Sequence, residues 1–239
     1  MKWVDGRAGW VYNNHMPAGI TERMEFLQSL PLFRGLGDDA LRRLASESRR
    51  RRFRAGEVIF YQADPGSTCH IIIRGRVRIL VVGKDGRELA VRILGPGEIF
   101  GEMALLENLP RSASVEALEE TQTLEFHRDV LLTCLRRSPA LALGLLRDLS
   151  ARLRYVTEAA EGLALLTVAE RLMRRLRQLA EWSGVPVPGG VRIVLPMTQQ
   201  ELAALIGTSR ESVNRALVRL RHQGKLRQEK GWIVLLDEG

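Results

Sequence analysis

The stretch TQQELAALIGTSRESVNR at positions 198–215 decides the fold of the last third of this 239-residue chain. Thr198 followed by Glu201 has the capping-box pattern that begins a helix, and Gly207 suits the left-handed turn that ends one. Ser209 is then placed to cap a second helix. The apolar face of that second helix repeats at Val213, Ala216, Leu217 and Leu220. Helix, glycine turn and helix in this order predict a helix-turn-helix.

Polar side chains project from the first turns of the second helix, where a helix-turn-helix protein meets the edges of DNA bases. Arginine can pair with guanine O6 and N7, and glutamate can accept a hydrogen bond from cytosine N4. The residues that we expect at DNA are Thr198, Gln199, Ser209, Arg210, Glu211, Asn214, Arg215 and Arg219. The alternative is an ordinary helical hairpin with a charged solvent face, which does not require the cap, the glycine turn and the arginine cluster together. The runs 225–228 and 232–236 then predict the hairpin of a winged helix.

A glycine-rich motif upstream, Gly97-Glu98-Ile99-Phe100-Gly101-Glu102, has the composition of a pocket for a sugar joined to a phosphate. Its glycines let the backbone approach a ligand closely. Glu102 can accept a hydrogen bond from a sugar hydroxyl, while Arg111 offers a planar charged fork suited to a phosphate, with the hydroxyl of Ser112 beside it. The alternative is a Gly/Pro turn followed by a surface arginine and serine.

Short β-rich runs punctuated by glycine fill the region from 51 to 126, and they predict an antiparallel barrel or jelly roll. The predicted strands are 57–60, 70–73, 77–82, 89–94, 113–117 and 121–126. Asp85-Gly86 indicates a hairpin turn. Two minor helices, 24–32 and 38–46, come before the strands, and Asp38 is placed as the N-cap of the second. Cys69 and His70 are expected to be ordinary strand residues.

A long helix is predicted from 139 to about 166, because apolar residues recur there at alternating spacings of four and three. These residues, which we call the seam, are Ala142, Leu146, Leu149, Leu153, Val156, Ala160 and Leu163. The seam has two explanations, a face packed on the core and a dimer interface, and its place between two predicted domains favours the dimer. A further helix over 170–182 is predicted to end in a turn at the Gly/Pro run 183–190.

The composition is that of a globular chain, with 45% hydrophobic and 27% charged residues, and the length favours two domains. The net charge is +8, of which +5 falls on residues 168–239, as expected for a nucleic-acid-binding module. Two cysteines are too few for a disulfide scaffold or a four-thiolate iron–sulfur cluster, which fits a cytoplasmic protein. No run is long and apolar enough for a signal peptide or a membrane span, so we expect no membrane partner.

Three motifs, residues 96–102, Arg111-Ser112-Ala113 and residues 208–215, together resemble the CRP/FNR family of bacterial transcription regulators, typified by the cyclic AMP receptor protein and the fumarate–nitrate reduction regulator. The resemblance spans residues 30 to 236. It implies an α+β fold: an N-terminal cyclic-nucleotide-binding β-roll (jelly roll), a long dimerisation helix and a C-terminal winged helix-turn-helix. The boundaries expected on this basis are 1–23 for an N-terminal extension, 24–137 for the effector domain, 138–166 for the dimerisation helix and 167–239 for the DNA-binding domain.

The cyclic AMP branch of the family implies a role for each pocket residue. Gly101 contacts the ligand through its backbone, and Glu102 binds the ribose 2′-hydroxyl. Arg111 and Ser112 hold the cyclic phosphate. All four residue types match that branch, so the sugar and phosphate half of the ligand is the better supported half.

The long helix departs from that branch at the position that meets the adenine. The branch has adjacent threonine and serine hydroxyls, whereas this chain has Val156 and Thr157, so one hydroxyl of the two is missing. Arg152, one turn earlier, can pair with Glu102 or extend into solvent. The base of the ligand is therefore specified less well than its sugar.

The resemblance implies a homodimer that binds a palindromic TGTGA-like operator in double-stranded DNA and meets RNA polymerase. Its expected effector is a cyclic nucleotide, cAMP. The missing hydroxyl leaves open a constitutive, abundance-controlled regulator with an empty pocket or a different ligand. An enzyme is disfavoured because the sequence offers no metal-ligand cluster and no supported catalytic triad. A redox sensor built on Cys69 and Cys134 is disfavoured as well, and no metal, haem or iron–sulfur cofactor is expected.

Overall fold

A long helix connects two compact units, of which the first ends at Tyr155 and the second begins at Val156. The computed structural model describes residues 19–83, 88–194, 198–229 and 232–237. Each unit has its own hydrophobic core.

The first unit contains eight strands and the helices around them. Its helices are α1 (Ile20–Ser29), α2 (Asp38–Glu47), α3 (Glu102–Glu107), α4 (Arg128–Arg137) and the greater part of α5 (Pro139–Leu165), with a short 3-10 turn at Pro31–Phe33. Its strands are β1 (Arg49–Phe53), β2 (Val58–Phe60), β3 (Thr68–Arg74), β4 (Val77–Val82), β5 (Glu88–Leu94), β6 (Ile99–Phe100), β7 (Ser114–Ala117) and β8 (Thr121–His127). They form two antiparallel four-stranded sheets in the orders β1-β8-β3-β6 and β2-β7-β4-β5.

Strand β3 shows how the sequence covers both faces of the first sheet. Successive side chains of a strand point to opposite faces. Ile71 and Ile73 pack into the core shared with α1, α2 and α4, while Ile72 between them packs with Val77 and Phe100 in a separate cluster. An unbroken apolar run is therefore required here, and the β-roll has a core on each side of this strand.

The second unit is a winged helix-turn-helix. Its elements are α6 (Val168–Ser183), β9 (Val185–Val187), β10 (Gly190–Val194), α7 (Gln199–Leu205), α8 (Arg210–His222), β11 (Leu226–Glu229) and β12 (Trp232–Leu236). The strands pair in the order β11-β12-β10-β9. Leu172 and Leu176 from α6 meet Val213 and Leu217 from α8 in a core that the sheet closes with Ile233.

The predicted α+β fold, with its β-roll, long helix and winged helix-turn-helix, is confirmed. Strands β4 and β12 have the predicted bounds, and α5 ends one residue before its predicted end. Helix α7 begins immediately after Thr198, its predicted cap, whereas the side chain of Glu201 and the Asp85-Gly86 turn lie outside the described residues. No described helix meets the length and hydropathy needed to cross a bilayer.

Several element boundaries differ from the prediction. Helix α1 begins at Ile20 rather than at position 24, and it ends at Ser29 before the 3-10 turn. Asp38 is the first residue of α2 rather than its N-cap, which is Gly37, so its carboxylate lies at the positive end of the helix dipole. The Gly/Pro run 183–190 ends α6 and contains a turn at 188–189, as predicted, but it also holds strand β9. Pro186 lies there on an edge strand, which tolerates a missing N–H.

Three elements of the first unit were missed. Strand β1 is a run of four arginines before Phe53, and on a sheet edge these side chains reach solvent while the backbone pairs with β8. Strand β6 has two residues, too few for a period, and α3 follows it directly after Gly101. The glycine-rich motif predicted to form the pocket is thus a strand, a left-handed residue and a helix.

Candidate functional site

The turn between β6 and α3 requires glycine at position 101. Gly101 has a φ of 79°, a left-handed conformation that side chains disfavour, and it is the N-cap of α3. A Cβ atom added there would lie 2.7 Å from Nη1 of Arg111. Gly101 therefore permits both the turn and the close approach of the guanidinium.

Arg111 is folded against this turn and is only 6% exposed. Its Nη1 donates to the carbonyl oxygen of Gly101 at 2.8 Å, and its Nη2 donates to Oγ1 of Thr68 at 3.3 Å. The guanidinium also lies over the ring of Phe60, 4.0 Å from the centroid. Its buried Nε has no protein partner. The Nε–H group of the immobilised Arg111 guanidinium is therefore a donor without a protein partner beside the Gly101 turn.

Glu102 is the first residue of α3, and its side chain is almost fully buried. Oε1 accepts a hydrogen bond from Nη1 of Arg152 at 2.8 Å, whereas the buried Oε2 has no partner. Burial raises the pKa of Glu102, and the positive charge of Arg152 opposes that rise. The carboxylate thus keeps one buried acceptor oxygen that no protein group uses.

Arg152 connects α5 to both sides of the Gly101 turn. Besides Glu102, it donates to the carbonyl oxygen of Ile99, and its Nη2 lies 2.7 Å from Oδ2 of Asp148. The predicted pairing of Arg152 with Glu102 is confirmed, and the solvent-extended alternative is wrong.

The remaining predicted pocket residues are exposed. Ser112 lies next to Arg111, and its hydroxyl donates to the sulfur of Met103 at 3.7 Å. Thr157 lies on the part of α5 that belongs to the second unit. Gly101, Glu102, Arg111 and Arg152 are therefore brought together, while the participation of Ser112 and Thr157 stays a prediction.

Aromatic side chains line the back of this site and were not predicted. The ring of His70 stacks on Phe100 with centroids 5.0 Å apart, and its Nδ1 lies 3.1 Å from Oγ1 of Thr123. Burial, together with the charges of Arg111 and Arg51, lowers the pKa of His70 to about 3. His70 is a strand residue, as expected, but it is neutral and in aromatic contact with Phe60, which in turn supports Arg111.

The two thiols and the remaining titratable groups do not suggest other chemistry. Cys69 and Cys134 are free and buried, and burial raises the pKa of both thiols, so neither is an activated thiolate. Within the described residues, no cluster of three histidine, cysteine or acidic side chains is arranged to hold a metal ion.

An unpaired acceptor and an unpaired donor make the pocket suitable for a sugar phosphate. Oε2 of Glu102 can accept a hydrogen bond from a hydroxyl, and Nε of Arg111 can donate one to a phosphate oxygen. Buried polar atoms without partners are rare in proteins, and a ligand is one of their explanations. The residues present therefore fit a ribose phosphate.

In the second unit, α8 presents its first turns to solvent. Ser209 caps the helix as predicted, since its Oγ accepts from the backbone N–H of Ser212 at 3.3 Å. Arg210, Glu211 and Asn214 are exposed. Hydrogen bonds at the helix start lower the pKa of Glu211, so this side chain is an ionised acceptor.

The other predicted DNA residues lie at both ends of this motif. Arg215 is exposed and donates to Oγ of Ser212 at 3.1 Å, while Thr198 and Gln199 begin α7. Arg219 lies two turns after Glu211, beside a cavity between α6 and α8. Contact of each of these residues with DNA stays a prediction.

Comparison with known proteins identifies two known domains in the chain. The cyclic nucleotide-binding domain model matches residues 50–138, and the Crp-like helix-turn-helix domain model matches residues 170–239. A CRP-like cAMP-activated global transcriptional regulator of Mycobacterium tuberculosis is 33% identical over 89% of this chain and 95% of its own length. The cyclic AMP receptor protein of Thermus thermophilus is 37% identical over 88% of this chain and 94% of its own length. The structure of the c-di-GMP-responsive global regulator CLP of Xanthomonas campestris has a TM-score of 0.74 at 30% identity, covering 84% of this chain and all of CLP.

A domain of the cyclic nucleotide-binding type and a Crp-like helix-turn-helix in one chain define a DNA-binding transcription regulator of the Crp type. The chain belongs to the CRP/FNR family. Its relatives are transcription regulators, and it is accordingly not an enzyme.

Proposed function

We propose that cAMP is the effector of this regulator. The observation that supports this most directly is the buried Oε2 of Glu102, which has no partner and can accept from the ribose 2′-hydroxyl. Arg111 and the adjacent Ser112 then bind the cyclic phosphate, and the backbone of Gly101 lines the sugar. Thr157 supplies the one hydroxyl on α5 that can meet the adenine.

The seam of α5 is proposed as the interface of a homodimer. Leu146, Leu153, Val156 and Leu163 are exposed large apolar side chains on this helix. Packing the seams of two copies against each other removes this surface from water. The burial stabilises the dimer by about 25 cal/mol for each Å² of apolar surface. The proposed domain boundaries follow from this assignment: 1–23 for an extension, 24–137 for the effector domain, 138–166 for the dimerisation helix and 167–239 for the DNA-binding domain.

The dimer is proposed to bind a palindromic operator with TGTGA-like half-sites in the cytoplasm. Two copies of α8 related by two-fold symmetry can enter successive major grooves, about 34 Å apart. Arg210, Glu211 and Arg215 carry the base contacts, because bidentate arginine and an acceptor carboxylate distinguish base pairs in that groove. RNA polymerase is the proposed protein partner at the promoter.

Arg152 gives the ligand a route to α5. A 2′-hydroxyl bound to Glu102 changes the surroundings of the carboxylate that Arg152 holds. A ligand shifts a conformational equilibrium only by binding one state more tightly than the other. In this proposal cAMP favours the state of the dimer in which both copies of α8 fit the operator.

Val156 supports a second candidate, a regulator that cAMP does not control. The cAMP branch has a hydroxyl at this position, and a related protein, CLP, is described as responsive to c-di-GMP. The pocket would then be empty or would hold a different nucleotide, and protein abundance would set operator occupancy.

The test is a titration of operator binding with cAMP, at fixed salt because phosphate contacts make DNA affinity strongly salt-dependent. We expect Arg111→Leu to abolish the cAMP response and to leave basal DNA binding intact, since it removes the fork for the phosphate. Arg42→Leu, on the exposed face of α2, is the matched control and keeps the response. A normal cAMP response in Arg111→Leu would contradict the proposed role of Arg111 in binding the cyclic phosphate. Calorimetry with cAMP, cGMP and c-di-GMP then separates the two candidates, because absence of cAMP binding favours the second.

A further inference from the structure

A cavity of about 530 Å³ lies between α6 and the C-terminal end of α8 in the second unit. One wall is a single face of α6, since Glu170, Arg174, Arg177 and Glu181 recur at spacings of three and four. Arg219 near the end of α8 and Lys225 in the turn after it line the opposite wall. We call this cavity the α6–α8 cleft.

The α6–α8 cleft has an excess of positive charge. Four basic side chains line it, and two carboxylates oppose them. Glu170 is occupied at the start of α6, where its Oε2 accepts from both the backbone N–H and the hydroxyl of Thr167 at 2.7 Å. Glu181 lies at the far end of the lining face of α6. Nη1 of Arg174 donates to the carbonyl oxygen of Glu158 at 3.3 Å. Hydrogen bonds from Thr167, and after them the charges of Arg219 and Lys225, lower the pKa of Glu170. Because the basic side chains of the lining still outnumber the carboxylates, the cleft favours an anion near Arg219 and Lys225.

Two large apolar side chains also contribute to the lining of the cleft. Met173 from α6 and Leu220 from α8 line it, and Leu220 is buried. A flat or aliphatic group can pack on these side chains while the guanidinium groups meet its charge. Small-molecule sites typically combine an apolar surface with a few polar groups in a cavity of 300–1,000 Å³.

The cleft shares only Arg219, at its rim, with the residues predicted to contact DNA, and it lies away from those proposed to read bases. Residues that read bases begin at Arg210, at the other end of α8, and the pocket of Glu102 and Arg111 belongs to the first unit. Nothing in the roles of those two sites requires several cations around a concave surface here.

We propose that the α6–α8 cleft is a second anion site, which binds a phosphate-bearing ligand. Arginine forks and a lysine are the side chains that bind phosphate in proteins, the former bidentately. Phosphate can come from a soluble phosphorylated compound or from the backbone of DNA. The concave shape and the apolar side chains Met173 and Leu220 in its lining favour the soluble source.

The experiment uses the full chain without cyclic nucleotide and inorganic pyrophosphate as the probe, measured by calorimetry. Arg219→Gln and Lys225→Gln each remove one charge from the cleft. Arg221→Gln is the matched control, because Arg221 is exposed on the same helix and does not line the cleft. The same four proteins are titrated with a non-operator DNA duplex at several salt concentrations.

A soluble ligand predicts that pyrophosphate binds the wild type and that each cleft variant weakens it at least fivefold, while Arg221→Gln changes it less than twofold. Because both cleft residues belong to the second unit, this result also distinguishes the cleft from the pocket around Arg111. A DNA phosphate in the cleft predicts instead that the slope of log K against log salt becomes less negative by about 0.9 for each phosphate that the variant no longer neutralises. If neither pyrophosphate affinity nor this slope differs from wild type in the cleft variants, the proposal is wrong.

Discussion

Glu102 is a carboxylate with two differently occupied oxygens. One is bound to Arg152, and the other is buried without a partner. In the proposed complex, Oε2 of Glu102 accepts from the ribose 2′-hydroxyl, so this residue determines whether the protein distinguishes ribose from deoxyribose. A hydrogen bond to a charged group contributes about 1.5–3 kcal/mol.

We therefore expect wild-type protein to bind cAMP about 10- to 100-fold more tightly than 2′-deoxy-cAMP, by the usual conversion of free energy into affinity. Glu102→Gln replaces the charged acceptor with a neutral amide, whose hydrogen bond is weaker by about 1–1.5 kcal/mol, so the preference for cAMP over 2′-deoxy-cAMP should fall by about tenfold. Glu107→Gln, at the exposed end of α3, should keep the discrimination. Calorimetry of the three proteins with both nucleotides measures this. A preference for cAMP in Glu102→Gln as large as that of the wild type would assign the 2′-hydroxyl to another residue.

His70 makes the stability of the first unit sensitive to acid. Its pKa is lowered to about 3 in the folded protein, from 6.5 in an unperturbed side chain, so unfolding takes up a proton below pH 6.5. Stability from this residue is complete above pH 6.5 and is lost as the pH falls towards 3. At pH 5 the loss is about 2 kcal/mol, since each pH unit corresponds to about 1.4 kcal/mol. Glu102, whose pKa is raised, acts in the opposite direction.

His70→Gln removes the titrating ring, so its free energy of unfolding should fall by about 2 kcal/mol less than that of the wild type between pH 7 and pH 5. The measurement is hydrogen exchange of the β3 and β8 amides in urea, which follows this unit alone. His127→Gln is the control, because His127 is exposed at the end of β8. This variant should lose as much unfolding free energy as the wild type between pH 7 and pH 5. Equal losses in wild type and His70→Gln would mean that His70 is not the titrating group.

Among the elements, α5 carries the proposed dimer interface. Leu153 of the seam is 68% exposed, and Leu165, on the same helix but outside the seam, is 73% exposed. We expect Leu153→Gln to weaken dimerisation by about tenfold or more, since it replaces an apolar contact with an amide that must be desolvated. Leu165→Gln should leave the association unchanged. Sedimentation equilibrium measures the dimer dissociation constants of both variants. If these constants are equal, the seam is not the dimer interface.

Periodicity explains which elements were predictable. The seam extends over most of a 27-residue helix, and the apolar face of α8 repeats over two turns, so both patterns are long enough to be recognised. Strand β6 has two residues, and β1 is polar at four of five positions, so neither contains a period. Strand β1 forms because it pairs with β8 at the edge of the sheet. Pairing between segments so distant in sequence is not visible in a local pattern.

The pocket was predictable by residue type but not by arrangement. Glycine, glutamate and arginine pointed to a sugar phosphate because each has one suitable chemical property. The sequence did not indicate that Arg111 would fold onto the carbonyl oxygen of Gly101, or that Phe60 and His70 would support it. These contacts join residues ten or more positions apart, and only the β-roll brings them together.

At the scale of the whole molecule, the proposed ribose and phosphate contacts belong to the first unit, and the proposed DNA contacts belong to the second. Arg210 begins α8 and is exposed, so it should matter for DNA and not for nucleotide. Arg210→Gln should lower operator affinity by about 1–3 kcal/mol, the usual contribution of a bidentate base contact, and relax specificity at one base pair.

The nucleotide affinity of Arg210→Gln in the absence of DNA, measured by calorimetry, should equal that of the wild type. Arg221→Gln, two turns beyond the first turn of α8, is the control and should keep the specificity at that base pair. A nucleotide affinity altered by Arg210→Gln would show that the two units are coupled even without DNA.

Arg152 has a consequence for how nucleotide affinity must be measured. It lies on the helix proposed for dimerisation and binds the carboxylate proposed for the ribose. Coupling between two binding equilibria is reciprocal, so any factor by which nucleotide tightens the dimer is also the factor by which the dimer tightens nucleotide binding. The apparent dissociation constant for nucleotide then depends on protein concentration. Dilution of the protein, which dissociates the dimer, should lower its apparent affinity for nucleotide.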